Sequence, residues 1–123
     1  MFLQLAHTKL EVYSASRQLI LECYKQTQLF PAEERFALTQ QIRRAALSTH
    51  LNTAEGSSRK SETDRKRFFE IARSSVIEID AAWDAASDLG YCKMENLSNL
   101  GEVIIKCFKL LTGLINSESK NNN

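Results

Sequence analysis

Residues 94–117 read MENLSNLGEVIIKCFKLLTGLINS, and this stretch decides the fold class. Its apolar side chains recur at steps of three and four, the spacing that places residues on one face of an α-helix. One stripe comprises Leu97, Leu100, Ile104, Phe108, Leu111 and Ile115, and it is widened by Val103, Cys107, Leu110 and Leu114. The pattern predicts a helix with a wide apolar face, followed by a disordered polar tail over residues 118–123.

The same spacing predicts three earlier helices, over about residues 7–27, 31–55 and 61–89. Pro31 suits a first helical turn, where its missing N–H would be unpaired in any case. Gly56 is expected to bend or end the second helix, and Gly90 to end the third in the left-handed conformation. The apolar stripes of these helices comprise Leu10, Val12, Tyr13, Ala15, Leu19, Ile20, Cys23, Tyr24, Leu38, Ile42, Ala45, Phe68, Phe69, Ala72, Val76, Ile79, Trp83 and Ala86, with Leu47, Leu51 and Ala54 beside those of the second helix.

Four such helices joined by short connections predict an all-α fold, an antiparallel up-down-up-down four-helix bundle over residues 1–117. The chain has 123 residues, enough for one domain, and its one Pro and four Gly are too few for an all-β fold. The first and fourth helices are apolar on more than one face, so we expect copies of the chain to assemble. A well-filled monomer core would explain the same pattern.

The cysteines Cys23, Cys92 and Cys107 show no metal-ligand spacing, and we expect them to be reduced thiols. The first residues lack the basic start and apolar run of a signal peptide. No segment approaches the roughly 20 apolar residues that a membrane helix needs. These features predict a cytoplasmic protein with no catalytic residues, metal or cofactor and no membrane contact.

Charge is unevenly distributed along a chain whose formal net charge is +1. Residues 33–73 carry nine cations and six anions, whereas residues 74–90 carry four anions and no cation. Such a layout could steer a polyanion to one face, or it could form complementary surfaces between subunits. The candidate phosphate-binding residues are Arg43, Arg44, Arg59, Lys60, Arg65, Lys66 and Arg67. Ion pairs on a solvated face are the alternative interpretation.

Two further patterns lie on the second helix. Ser48, Asn52 and Glu55 follow steps of four and three, which predicts a polar network that fixes helix register, or a ligand site. Arg44 and His50 resemble the Arg-x-(4–6)-His motif of the HEPN ribonucleases. In such a pair the arginine would grip a phosphate and the histidine would transfer a proton.

A longer pattern is more specific than these. Residues 29–48 read LFPAEERFALTQQIRRAALS, and residues 52–56 read NTAEG. Together with Phe68, residues 71–75 and 78–80, and the later Leu-Gly-Tyr of residues 89–91, they resemble the four-helix-bundle proteins encoded in intervening sequences of bacterial large-subunit ribosomal RNA. The resemblance covers about residues 8–115.

The resemblance implies a bundle that assembles into a ring, typically a homopentamer, without known enzyme activity. It also implies kinship with the accessory protein of diversity-generating retroelements, which binds a reverse transcriptase and nucleic acid. The family's double arginine matches Arg43 and Arg44, and its polar motif matches Ser48, Asn52, Glu55, Gly56 and Glu78. His50 and Thr53 stand where the family usually has Pro and Ile, so we expect a straighter second helix.

Three functional hypotheses follow. The first is a non-catalytic homo-oligomeric binding or scaffold protein, associated with RNA or an RNA-processing protein through the basic residues. The second is a protein-only assembly module without nucleic-acid binding. The third is a helical ribonuclease that uses Arg44 and His50.

Overall fold

The computed structural model describes residues 3, 5, 7 and 10–121. Within that part of the chain there are four α-helices and no strand, which confirms the all-α prediction. Short 3-10 turns precede α2 and α4, at Ala32–Glu34 and Met94–Leu97. The α-helices are α1 (Glu11–Thr27), α2 (Leu38–Ser58), α3 (Glu62–Asp88) and α4 (Ser98–Asn121).

The helices form a closed bundle in sequence order. Each helix packs against the helices before and after it, and α4 packs against α1. Gln41 of α2 hydrogen-bonds to Glu78 of α3, and Ser48 of α2 to Ser75 of α3, so these two helices run antiparallel. Paired side chains between α1 and α2 and between α3 and α4 show the same reversal. The bundle therefore runs up, down, up and down.

Most of the predicted apolar stripes lie in the core, but the inward face of α2 differs from the prediction. Leu47 and Leu51 are exposed, whereas Thr49 and Thr53 are 0% exposed. Each buried threonine hydroxyl donates a hydrogen bond to the carbonyl four residues earlier in α2, at 2.9 and 2.7 Å. Because the helix backbone pairs these hydroxyls, the polar side chains can be buried at little cost. The buried apolar residues of the predicted stripes are Val12, Ala15, Leu19, Cys23, Ile42, Ala45, Phe69, Ala72, Val76, Ile79, Trp83, Ala86, Leu97, Leu100, Cys107, Leu111 and Ile115.

Both helix starts in the first third of the chain were predicted too early. The structure places the start of α1 at Glu11 instead of residue 7, and residues 8 and 9 lie outside the described part. The start of α2 lies at Leu38 instead of residue 31, because Ala37 has φ −124° and ψ −105°, which are not helical values. The segment that follows Pro31 forms the 3-10 turn instead.

The predicted end signals had mixed outcomes. Gly56 does not end α2, which continues to Ser58. Ser61 caps α3 by accepting a hydrogen bond from the Asp64 amide at 3.0 Å. Gly90 has φ +79°, which confirms the left-handed residue after α3.

The last helix continues beyond residue 117 into the segment predicted to be a disordered tail. Arg65 of α3 donates hydrogen bonds of 2.9 and 3.1 Å to the Glu118 carboxylate, and this contact holds the end of α4 on the bundle. Arg65 also donates to the carbonyls of Arg59 and Lys60, at 3.1 and 2.7 Å. One guanidinium therefore joins the α2–α3 connection to α4. Residues 122 and 123 lie outside the described part.

Replacing Arg65 with Ala is expected to increase amide hydrogen exchange in the last two turns of α4 and in the α2–α3 connection. The variant loses the only ion pair that Glu118 makes within the described residues. Hydrogen-exchange mass spectrometry measures this effect. Arg67→Ala serves as the control, because it removes the same charge two residues further along α3 without breaking an ion pair within the described residues. Equal protection of α4 in the two variants would contradict the assigned role of Arg65.

The thiols fit the expected structural role. Cys23 and Cys107 are buried and Cys92 is partly buried, and none of the three forms a disulfide. Burial raises the pKa of the Cys23 and Cys107 thiols to about 12. Both side chains therefore remain protonated near neutral pH and pack as small apolar groups.

Candidate nucleic-acid interface

Five of the seven predicted phosphate-binding cations lie together at one end of the bundle. α2 ends at Ser58 and α3 begins at Glu62, so the connection and the first two turns of α3 carry all five. The Arg65 guanidinium also donates hydrogen bonds to the backbone carbonyls of Arg59 and Lys60 in this connection. We call this cluster the basic end, and its members are Arg59, Lys60, Arg65, Lys66 and Arg67.

Two members of the basic end are paired with carboxylates. Arg59 forms an ion pair with Glu55, and Arg65 forms one with Glu118. Among the described residues, no carboxylate lies within ion-pair distance of the other three, Lys60, Lys66 and Arg67. Within the described structure, the basic end therefore carries three cations whose charge no ion pair offsets.

An aromatic ring organises part of the basic end. The guanidinium carbons of Arg59 and Arg67 lie 4.9 and 5.1 Å from the centre of the Phe68 ring, within the range of cation–π attraction. Phe68 itself is half-buried against the bundle. The ring thus restricts where the two guanidinium groups can lie, although neither is buried.

The remaining two predicted cations, Arg43 and Arg44, lie elsewhere. Arg43 donates to the Thr27 hydroxyl at 2.9 Å and to the Tyr24 carbonyl at 3.3 Å, and it lies 4.5 Å from the Tyr24 ring centre. It therefore ties α2 to the last turn of α1. Arg44 is exposed on the outer side of α2. Sixteen residues separate Arg43 from Arg59, which is about 24 Å along a helix, so the seven cations do not form one patch.

The residues of the predicted polar motif also fall into two groups, those that form one network and those that pair elsewhere. Ser75 of α3 donates to the Ser48 hydroxyl at 2.9 Å, and Asn52 donates to the carbonyl and hydroxyl of Ser48 at 2.9 and 3.1 Å. These three residues form a network between α2 and α3. Glu55 lies outside the network, exposed and paired with Arg59, and Glu78 accepts a hydrogen bond from Gln41 further along the same helix pair. Ser75 and Gln41 were missed, because a lone Ser or Gln in a helix gives no sequence signal.

Gly56 lies where α2 and α3 approach most closely. A Cβ atom at this position would lie 2.8 and 2.9 Å from two ring carbons of Phe69 and 3.1 Å from the Cβ of Phe68. The same atom added at Gly101 or Gly113 would meet nothing within 4 Å. Gly56 therefore allows α2 to pack closely against α3, and α2 continues past it to Ser58.

A second polar contact joins α1 to α2. Ser16 is buried, and its hydroxyl oxygen lies 3.1 Å from the Tyr13 carbonyl and 2.7 Å from Nδ1 of His50, within hydrogen-bond distance of both. The His50 ring also lies 4.4 Å from the Tyr13 ring. Burial lowers the pKa of His50, and the nearby charges of Arg17 and His7 lower it further. The contact spans 34 residues of sequence, and sequence reasoning did not find it.

The geometry does not bring the predicted nuclease pair together. Six positions along a helix place the Arg44 and His50 side chains about 120° apart. His50 contacts α1, whereas Arg44 is exposed on the outer side of α2. Among the described residues, no cluster of three or more His, Cys, Asp or Glu side chains could hold a metal ion. None of the described helices combines the length and apolar character needed to cross a membrane.

Comparison with known families now bears on these features. The model of the family described as 23S rRNA-intervening sequence protein matches residues 8–113. The chain belongs to this family. The match spans α1, α2 and α3 and most of α4, so it includes the basic end and the polar contacts of α2. No curated protein matches the chain.

Within the 23S rRNA-intervening sequence protein family, this chain has His50 where the resemblance placed a proline. α2 is continuous from Leu38 to Ser58, as expected without the proline. In this chain the His50 side chain forms a hydrogen bond with Ser16 of α1. The expected kinship with the retroelement accessory protein stays a prediction.

Protonation of His50 is expected to destabilise this family member in mild acid. Because the pKa of His50 is lowered in the folded state, the unfolded chain binds the proton first as the pH falls. The contribution is fully present above the usual histidine pKa of about 6.5 and is lost as the pH falls towards the lowered folded value. Urea unfolding of the wild-type protein and of His50→Gln is measured at pH 7.5 and 5.5. The free energy of unfolding should fall less between these two pH values in His50→Gln than in the wild-type protein. The same fall in both proteins would show that other groups cause the acid dependence.

Proposed function

We propose that this protein is a non-catalytic, self-assembling cytoplasmic protein with an rRNA-related role, and that it contacts RNA through its basic end. The observation that supports this most directly is the set of three cations, Lys60, Lys66 and Arg67, that lack a carboxylate partner within the described residues. The name of its family, 23S rRNA-intervening sequence protein, agrees with an rRNA-related role.

The proposed contact is with the phosphate backbone. Lys and Arg side chains neutralise phosphates and release the counterions condensed on the nucleic acid, without reading the base sequence. Three such cations give weak binding for one copy of the chain. Self-assembly would place several basic ends on one particle, and the second and later contacts would then be intramolecular. Affinity for RNA is therefore expected to depend on assembly.

The proposal that the protein is non-catalytic rests on the positions of Arg44 and His50, the two candidate nuclease residues. His50 is turned towards α1 and hydrogen-bonded there, while Arg44 faces away from it. A general acid or base must reach the proton that it transfers, and a phosphate gripped by Arg44 would lie on a different side of α2. RNA left intact by the wild-type protein and by His50→Ala alike would agree with this proposal.

The test of RNA contact compares two charge-matched double variants. Lys60→Gln with Lys66→Gln removes two cations of the basic end, and Lys25→Gln with Lys93→Gln removes two exposed cations at the other end of the bundle. Fluorescence anisotropy with a structured ribosomal RNA fragment is measured over a salt series. We expect the first variant to bind more weakly and to lower the slope of log K against log salt by about 1.8 for a duplex. Equal losses in both variants would contradict a contact at the basic end.

A protein-only assembly module is the second candidate function. It is favoured by the ion pairs that already engage Arg59 and Arg65, and by large apolar side chains that remain exposed on the surface of the bundle. In that case the protein would not bind RNA even at low salt, yet light scattering would still show an oligomer. Tight, salt-dependent binding would exclude this candidate.

A further inference from the structure

One side of the bundle carries an exposed apolar groove between α3 and α4. Ile77 and Ile105 are each 55% exposed, and Phe108 is also exposed. Together with buried and half-buried neighbours they line a groove of about 260 Å³ that Asp80 and Lys109 border. We call Ile77, Asp80, Ile105 and Phe108 the α3–α4 face.

A second apolar surface lies between α1 and α2. Phe36 is 81% exposed and Leu51 is 62% exposed, and Leu47 is exposed between them. Phe36, Arg44 and Leu47 line a shallow depression of about 290 Å³. Arg44, Leu47 and Leu51 follow steps of three and four on α2 and so share its outward side. We call Phe36, Arg44, Leu47 and Leu51 the α1–α2 face.

The two faces lie on opposite sides of the bundle and differ in charge. The helices contact one another in the order α1, α2, α3, α4, so the α1–α2 side is opposite the α3–α4 side. The α3–α4 face carries Asp80, with Asp84 exposed one turn further along α3, and Lys109 borders the groove on the α4 side. The α1–α2 face carries Arg44, with Arg35 exposed beside Phe36. Apolar centres bordered by opposite charges are complementary surfaces.

We propose that the α1–α2 face of one copy of the chain binds the α3–α4 face of a second copy, with Arg44 near Asp80. This inference rests on the self-assembly in the proposed function and specifies the surfaces that carry it. Gln41 and Ser48 of α2 pair with Glu78 and Ser75 of α3, so Arg44 and Asp80 lie within about one helical turn of each other along the bundle axis when both copies point the same way.

A contact between two different faces has a defined consequence for assembly. Each copy bound through one face keeps its other face free, so the contact repeats until a ring closes or a filament grows. A two-fold dimer made by one self-complementary face would stop at two copies. The proposal therefore predicts an assembly larger than a dimer in which all copies have equivalent contacts.

Two variants that each block one face provide the test. Leu51→Asp places a carboxylate in the α1–α2 face, and Ile105→Asp places one in the α3–α4 face. Both positions are more than half exposed, so the bundle fold should be retained, as circular dichroism would check. Each variant alone is expected to be monomeric by light scattering. An equimolar mixture is expected to form a one-to-one heterodimer and nothing larger, because one intact α1–α2 face meets one intact α3–α4 face.

The other outcomes would overturn the proposal. Variants that keep the mass of the wild-type oligomer would show that these faces are not used. Monomeric variants that do not pair on mixing would show that the contact is not between these two different faces. A wild-type protein that is monomeric at all concentrations would instead refute the proposed self-assembly itself, and this result needs no variant.

A charge exchange tests the pairing of Arg44 with Asp80. Arg44→Asp and Asp80→Arg should each shift the assembly towards monomers at low salt. The double variant should recover most of the wild-type assembly, because the exchange restores opposite charges across the contact. A double variant that is as dissociated as the two single variants would contradict this pairing.

Discussion

Replacing Trp83 with Ala is expected to lower the free energy of unfolding by about 3–5 kcal/mol. The Trp83 side chain is 3% exposed, and its ring meets the Phe30 ring edge to face at a centroid distance of 5.2 Å. Phe30 in turn lies 5.6 Å from the Tyr91 ring. The substitution would leave a large cavity between α3 and both connections at that end. A loss of this size is a large share of the stability of a small domain, which is about 5–15 kcal/mol.

The control for this prediction is Trp83→Phe. The buried indole N–H of Trp83 has no hydrogen-bond partner within the described residues. A phenyl ring would keep the contact with Phe30 and remove this unpaired N–H, so we expect a much smaller loss. Trp83 is the only tryptophan, so urea unfolding must be followed by circular dichroism. Equal losses in the two variants would mean that the indole N–H contributes more than the packing.

Replacing Gly56 with Ala is expected to destabilise the protein, although alanine is the better helix former. Relief of the clash with the Phe69 ring and the Phe68 Cβ would require α2 and α3 to separate, and such overpacking costs about 1–3 kcal/mol. The gain in helix propensity offsets about 1 kcal/mol of this cost. Unfolding in urea measures the net change.

Gly113→Ala is the matched control for Gly56→Ala. Gly113 lies inside α4, and an added Cβ there meets no atom within 4 Å. Only the gain in helix propensity remains, so the free energy of unfolding of this variant should rise by about 1 kcal/mol. If both variants were stabilised to the same degree, the Phe69 ring must move aside without cost, and the close approach of α2 and α3 would have no structural importance.

The sequence predicted α3 and α4 better than α2, for a physical reason. On α3 the buried apolar side chains Phe69, Val76 and Trp83 recur every seven residues, so the periodicity identifies their buried face directly. On α2 the buried positions include Thr49 and Thr53, whose hydroxyls are paired with their own backbone. A pattern that counts apolar residues misses such positions and assigns the exposed Leu51 to the core instead.

The candidate site was predictable only where its residues are close in sequence. The basic end follows from a three-residue connection between two helices, and its cations could be grouped from the sequence alone. Arg43, predicted as a further phosphate-binding residue, lies about 24 Å from them along α2 and is not part of this cluster. The contact between His50 and Ser16 could not be predicted, because nothing local indicates which residue of another helix lies opposite a given side chain.

An even number of antiparallel helices has a practical consequence for experiments on this protein. Glu11, where α1 begins, and Asn121, where α4 ends, lie at the same end of the bundle as the connection between α2 and α3. A fluorescent label attached at either of these two helix ends would therefore crowd the basic end and could mask or mimic RNA binding. The connection over residues 89–97 lies at the far end. A label attached there, for example at Cys92, leaves the basic end accessible.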